Sequence, residues 1–178
     1  HESLDRDDDP YDVVAGRIKA DAPADRFRTY ETLLLPLEHI HEDRATHPEG
    51  DALYHSLQVF ELARRAIDYD EEFLLAALLH DVGKAIDPQD HVGAGLEALN
   101  GAITERTAWF IEHHVEALDQ QAGKLGVRAR RRLEACDDCH DLMLLADCDR
   151  RGRVKGARVP DLHEALEVLR QLAQEDEG

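Results

Sequence analysis

The dipeptide His80-Asp81 places two side chains of metal-ligating type at the end of a long apolar run, residues 73–79. Burying an imidazole and a carboxylate costs free energy unless something compensates them, and a metal ion is a common compensator. Two further residues of ligating type, His55 upstream and Asp149 downstream, fall in segments with helical periodicity. Together the four side chains would form a mixed nitrogen and oxygen site, suited to Mn, Fe, Co, Ni or Zn and less to Ca.

Helical phase identifies further candidates for the same interior. In the stretch 104–118, His114 shares the apolar face, whereas His113 falls on a different side of the helix. In the stretch 141–149, Asp149 shares the apolar face, although phase alone does not exclude Asp147. His55 stands one turn before an apolar residue and is expected on the flank of a core-facing stripe.

The elements that must position these residues are all predicted to be helices. Asp51 and Asp161 are expected to cap two of them, and Gly83 is expected to stop the apolar helix. No segment alternates with period two for long enough to predict a strand, so the fold class is all-α. We expect one domain over residues 10–178, after a frayed acidic terminus over 1–9. Helices are predicted over 10–19, between Pro23 and Pro36, from Asp51, over 71–81, 92–99, 104–118, 128–136 and 141–149, and from Asp161.

Composition limits the partners of this chain. The net charge is -18 over 178 residues, which repels nucleic acid backbones and anionic membranes at long range. No apolar stretch approaches the roughly 20 residues that span a bilayer. The chain opens with acidic residues rather than a secretory signal, and its three cysteines indicate a reducing compartment, so we expect a cytoplasmic protein. A homodimer face could include Tyr11, Val13, Val14 and Ile18, which could equally pack onto the core.

The order His55, His80-Asp81, Asp149 resembles that of the HD-domain metal-dependent phosphohydrolase superfamily, over most of the chain. The strongest part is the stretch 80–84, His-Asp-Val-Gly-Lys, which is similar to the His-Asp-x-Gly-Lys signature of that family. A closer likeness is to the HD domain attached to bacterial tRNA nucleotidyltransferases. Three further segments carry that likeness: His-Pro-Glu-Gly-Asp at 47–51, Asp-His-Val-Gly-Ala-Gly at 90–95 and Asp-Arg-Arg-Gly-Arg at 149–153. The last of these favours Asp149 over Asp147 as a ligand.

The resemblance implies a compact HD-type helical bundle with one or two divalent ions, Mg being a further candidate. One ion would be held by His55, His80, Asp81 and Asp149. His91 and His114, with the neighbouring His113, would supply a second metal site or bind the substrate phosphate. Asp81 would bridge two ions, and Lys84 would contact a phosphate oxygen and stabilise charge in the transition state. Arg150, Arg151 and Arg153 form either a solvated basic loop or a phosphate clamp at the mouth of the site.

The implied function is a metal-dependent phosphohydrolase, a phosphodiesterase or phosphatase, acting on a small phosphorylated substrate such as a nucleotide. A bound metal can lower the pKa of water to about 7 and so supply the nucleophile. Because no nucleotidyltransferase segment accompanies the HD-like region in these 178 residues, we expect a free-standing hydrolase rather than tRNA-end synthesis. Two alternatives stay open: a non-catalytic nucleotide-sensing HD module, and a di-iron HD-type oxygenase.

Overall fold

A computed structural model describes residues 25–176 of the protein. Across this range the fold is all-α, as predicted, and an isolated bridge between His41 and Asp51 is its sole β pairing. The helix expected over 10–19, with the apolar residues of the suggested dimer face, lies outside the described range. The described helices are α1 (Arg26–Leu34), α2 (Ala52–Ala66), α3 (Glu71–Leu79), α4 (His91–Leu99), α5 (Glu105–Gln121), α6 (Val127–Glu134), α7 (Cys139–Arg151) and α8 (Leu162–Asp176), with 3₁₀ turns at Leu35–His39, Val82–Ala85 and Pro88–Asp90.

Side-chain caps fix where several helices begin. The Asp51 carboxylate accepts a hydrogen bond from the Tyr54 amide at 2.8 Å and starts α2, and the Asp161 carboxylate accepts from the Glu164 amide at 2.8 Å before α8. Both caps were predicted from the sequence and are confirmed. Asp70 caps α3 in the same way, through the Phe73 amide at 3.1 Å.

Helix α3 forms the centre of the bundle. All seven apolar residues over 73–79 are buried, because α3 packs against α2, α5, α7 and α8 and therefore has no solvent-facing side. The helix predicted in this stretch is confirmed, and it is buried on all sides. No helix within residues 25–176 is long and apolar enough to cross a membrane; α3 itself has only nine residues.

Gly83 is needed for a close backbone contact rather than for stopping the helix. Helix α3 ends at Leu79, two residues before the predicted end, and Gly83 follows in a 3₁₀ turn without a positive φ. A Cβ atom on Gly83 would lie 1.7 Å from the carbonyl oxygen of His91. The missing side chain therefore lets the turn after α3 pack directly against the first turn of α4, which brings His91 towards Asp81.

Arg106 joins three helices on the side of the bundle where α3 begins. Its guanidinium makes two hydrogen bonds of 2.8 Å to the Asp70 carboxylate, which caps α3. It also donates to Asp138 at 3.1 Å, just before α7, and to Asp141 at 3.5 Å within it. Because Arg106 lies in the first turn of α5, this ion-pair network holds α3, α5 and α7 in register at one end.

Candidate metal centre

His55 is brought into the interior by α2. The residue is completely buried, rather than lying on the flank of a stripe, because α2 packs against both α3 and α7. Its Nδ1 lies 2.8 Å from the carbonyl oxygen of Gly152, which directs Nε2 towards the centre of the bundle. A histidine held in this way presents one nitrogen in a fixed direction, as a metal ligand does.

His80 and Asp81 follow α3 directly and reach the same point. The Nδ1 of His80 lies 2.8 Å from the carbonyl oxygen of Ala77, one turn back in α3, so its Nε2 faces inward. This Nε2 lies 3.2 Å from Asp81 Oδ2 and 3.5 Å from Asp149 Oδ1. It is buried, and neither carboxylate oxygen has hydrogen-bond geometry to it. Native proteins seldom leave such an atom unsatisfied.

Asp149 supplies the fourth side chain from α7. Its Oδ1 lies 2.8 Å from His55 Nε2, and its carboxylate is almost fully buried. Asp147 points elsewhere, because it forms ion pairs with Arg150 and with Arg151, the latter at 3.2 Å. The structure therefore brings Asp149 rather than Asp147 to His55, His80 and Asp81.

A second group of ligating atoms shares Asp81. While Asp81 Oδ2 faces His55 and His80, its Oδ1 lies 3.6 Å from His91 Nε2 and 3.8 Å from His114 Nε2. Three atoms, one each from Asp81, His91 and His114, lie within 4.8 Å of one another, as do one each from His55, His80 and Asp149. The arrangement places Asp81 between two candidate metal positions.

His114 belongs to this second group, whereas His113 does not. His114 is buried, and its Nδ1 lies 2.6 Å from the carbonyl oxygen of Ile111, so Nε2 is again directed inward. The ring of His113 instead packs against Trp109, and its Nδ1 lies 3.2 Å from Glu116 on a partly exposed side of α5. Within the described residues, His113 therefore lies apart from the cluster. The sequence had placed it on a different side of the helix from His114.

The electrostatics of the cluster favour a bound cation. Burial raises the pKa of Asp81 and Asp149, but the neighbouring imidazoles, His80 above all, outweigh burial and hold both pKa values well below the usual range. Burial lowers the pKa of His55, but contacts with Asp149 and Glu49 outweigh it and raise the pKa to about 9. In the same way Asp81 and Asp149 raise the pKa of His80. Protons on these histidines thus balance the carboxylates, and a metal ion would take their place.

His91 and His114 differ from this pattern. Burial, together with the nearby charge of His80, lowers the pKa of His114 to about 4, and burial lowers the pKa of His91 as well. Both rings are therefore neutral at pH 7, which is the state in which imidazole binds a metal. No proton has to leave either ring before an ion binds there.

Glu49 and His47 are parts of the site that the sequence analysis did not single out. The side chain of Glu49 is fully buried, and its Oε1 lies 3.2 Å from His55 Nδ1, on the far side of the ring from Asp149. The buried ring of His47 packs edge-on against the ring of His55, with centroids 4.9 Å apart. The stretch 47–51 was the available signal, but nothing in the sequence showed that its carboxylate lies behind a ligand.

Lys84 contacts two carboxylates in this arrangement. Its Nζ lies 2.7 Å from Glu42 Oε1 and 3.1 Å from Asp81 Oδ2. Burial lowers the pKa of Lys84, but Asp81 and Glu42 outweigh burial and raise it, so the ammonium group is charged. The structure thus places Lys84 directly beside the candidate metal ligands, and it adds Glu42, which the sequence had not identified.

The three arginines after Asp149 contact different partners in the structure. Arg153 turns back to the site: its Nε donates to the Asp149 carbonyl oxygen at 3.3 Å, and its Nη2 lies 3.9 Å from the Asp149 carboxylate. Arg150 and Arg151 are exposed and bind Asp147 instead. Only Arg153, among these three, lies where it could contact a substrate at the cluster.

The residues present fit a divalent metal ion. The cluster offers imidazole nitrogen and carboxylate oxygen, the donor set of first-row transition metals. The unsatisfied, buried Nε2 of His80 is the observation that argues most directly for a missing partner. The backbone carbonyls behind His55, His80 and His114 fix the inward direction of each Nε2.

The chain is similar to known proteins over the part that contains the cluster. The chain is 33% identical over 134 residues to the multifunctional CCA protein of Halorhodospira halophila and 31% identical over 140 residues to that of Hahella chejuensis. These alignments cover 61% and 64% of this chain and 32% of each relative, so the chain spans about a third of their length. The resemblance to the HD domain attached to tRNA nucleotidyltransferases is confirmed. The HD domain family profile matches residues 52–153, more than half of the chain, and the protein therefore belongs to the HD domain family.

Proposed function

We propose that this protein is a metal-dependent phosphohydrolase whose centre is formed by His55, His80, Asp81 and Asp149. The observation that carries the proposal is the convergence of these side chains, from three separate parts of the chain, around the unsatisfied Nε2 of His80. The family supports it, because most HD domains are metal-dependent hydrolases. A divalent ion bound there would lower the pKa of water and polarise a phosphoryl oxygen.

Asp81 is proposed to have the central role. Its two oxygens face two different groups of histidines, so it could bind one ion or bridge two. The neutral rings of His91 and His114 would then complete a second metal site or, once protonated, donate hydrogen bonds to the substrate phosphate. Within this proposal His113 has no part, since it contacts Glu116 and Trp109 instead.

Lys84 is proposed to bind the substrate phosphate and to stabilise negative charge as it develops. In the described structure its ammonium group is shared between Asp81 and Glu42. The contact with Glu42 holds the ammonium close to the cluster, and a phosphate oxygen could replace one of the two carboxylates as its partner. Arg153, one turn beyond Asp149, would supply a second positive charge on the side of α7.

We propose a small phosphorylated molecule, such as a nucleotide, as the substrate. The net charge of -18 would repel a long polyanion, whereas a small anion could be held locally by Lys84, Arg153 and the metal. The proposal covers monoesters and diesters, and it covers most first-row ions because His and Asp ligands accept them.

The test is hydrolysis of a generic phosphodiester and a generic phosphomonoester with Mn, Co, Ni, Zn or Mg. We expect metal-dependent turnover that Asp81→Ala abolishes and that His163→Ala, a change at an exposed histidine, leaves intact. Full turnover by Asp81→Ala would refute the site. No turnover with any ion, combined with tight nucleotide binding, would instead indicate a sensing module, and bound iron with ferric absorption would indicate an oxygenase.

A further inference from the structure

A cavity of about 230 Å³ lies between α2 and the loop over 152–159, and no residue of the metal cluster lines it. It is lined by three arginines, by one acidic residue and by apolar residues, among them Arg65, Arg151, Arg158, Glu61, Leu62 and Val154. Several positively charged side chains beside an apolar wall are typical of a site for a small organic anion.

The loop that forms one wall is fastened to α2, so the cavity is a built feature. The side chain of Gln58 donates to the Val154 carbonyl oxygen at 2.9 Å and accepts from the Val154 amide at 3.0 Å. The hydroxyl of Tyr54, one turn earlier in α2, donates to the carbonyl oxygen of Ala157. Side chains of α2 therefore satisfy backbone groups of the loop and hold the wall in place.

Charge in this region has the opposite sign from the chain as a whole. Arg158 forms no ion pair with any residue over 25–176. Arg65 pairs with Glu61 at 3.4 Å, but that carboxylate is already bound more closely by Arg64, at 2.7 Å. Arg151 pairs with Asp147, which also binds Arg150. Each carboxylate is thus shared between two arginines, and positive charge remains uncompensated.

We propose that this cavity binds a small organic phosphate monoester. Its phosphate would lie among Arg65, Arg151 and Arg158, which suit bidentate recognition of phosphate oxygens. Its apolar part would pack on Leu62 and Val154. The volume, below the 300–1,000 Å³ typical of drug-sized ligands, favours a compact molecule. The proposal does not depend on hydrolysis at the metal cluster.

The test is titration of the full chain with phenyl phosphate, in the presence of a chelator so that no metal ion can recruit the ligand. We expect saturable binding at millimolar concentration or below, with amide shifts in an NMR spectrum centred on Val154. Inorganic phosphate should bind more weakly, because it lacks the apolar part. Asp81→Ala should bind phenyl phosphate as the wild type does, because Asp81 does not line the cavity.

The double variant Arg65→Ala, Arg158→Ala should weaken binding about tenfold, through the loss of two charge-assisted contacts at a partly exposed site. The matched control is Arg131→Ala, Arg132→Ala, which removes two exposed arginines of α6 that do not line the cavity. Equal binding by the wild type and the Arg65, Arg158 double variant, amide shifts centred away from the 152–159 loop, or no binding at millimolar phenyl phosphate would overturn the proposal.

Discussion

Glu49 is expected to support metal binding through His55, without touching the metal. The carboxylate is fully buried, 3.2 Å from His55 Nδ1, while His55 Nε2 faces Asp149. A carboxylate behind a ligating histidine raises the basicity of the ring and fixes its orientation. Glu49→Gln keeps the size of the side chain but removes its charge, so it tests this electrostatic support with little change in packing.

The size of the effect follows from what else holds His55. Loss of such a partner costs about 10- to 100-fold in metal affinity. The Gly152 carbonyl oxygen stays 2.8 Å from His55 Nδ1 and still orients the ring, and neither Glu49 oxygen has hydrogen-bond geometry with a described residue. We therefore expect the lower end, about tenfold or 1.4 kcal/mol.

The pH dependence separates this role from a merely structural one. Contact with Glu49 helps to raise the pKa of His55 to about 9 in the metal-free protein, so a proton competes with the metal below that pH. Glu49→Gln lowers the affinity of His55 for the proton as well as for the metal. The loss of affinity should therefore be full above pH 9 and smaller at pH 7, where weaker proton competition offsets it.

The assay is competition for the metal against a chelator of known affinity, at pH 7 and above pH 9. Glu61→Gln is the matched control, because it makes the same change to a partly buried carboxylate of α2 that binds Arg64 rather than His55. Unchanged affinity of Glu49→Gln above pH 9, or an equal loss in Glu61→Gln, would refute the reasoning.

Three further predictions concern stability. Gly83→Ala should destabilise the fold by about 3 kcal/mol in chemical denaturation, because its Cβ would collide with the His91 carbonyl oxygen. Arg106→Ala should cost about 2 kcal/mol in the same assay, because it leaves the Asp70 carboxylate without its paired hydrogen bonds. The metal-free protein should lose stability as pH rises from 6.5 through about 9, because the raised pKa of His55 stabilises the fold only while the ring is protonated. The rise of the His55 pKa from 6.5 to about 9 corresponds to about 3 kcal/mol of folding free energy. Bound metal should reverse the direction in which the melting temperature changes with pH. A melting temperature that does not change with pH in the metal-free protein would contradict the assignment.

The residues that the sequence identified best are those whose position depends on one helix and its phase. His80 and Asp81 were predicted from their place at the end of an apolar run that was interpreted as a helix, and α3 is buried on every side. The likeness of 149–153 to a known segment favoured Asp149 over Asp147, and the ion pairs of Asp147 with two arginines agree. Local pattern was sufficient in these cases because neighbouring residues determine which way each side chain points.

The features that the sequence did not reveal depend on contacts between distant segments. Glu49 lies behind His55 only because the turn before α2 folds onto the helix, and Glu42 reaches Lys84 across 42 positions. Gly83 was interpreted as a helix stop, although its role is to admit the backbone of α4. The periodicity of one segment does not predict such contacts, because each depends on how two segments pack against each other.

The central claim is that a metal held by His55, His80, Asp81 and Asp149 carries out phosphoester hydrolysis. The most direct test measures metal binding and hydrolysis of a phosphodiester in one titration, for the wild type and for Asp81→Asn. We predict that turnover rises in proportion to the bound metal in the wild type, and that Asp81→Asn loses both together. Turnover that persists at full rate in excess chelator, or that survives in Asp81→Asn without bound metal, would contradict the account.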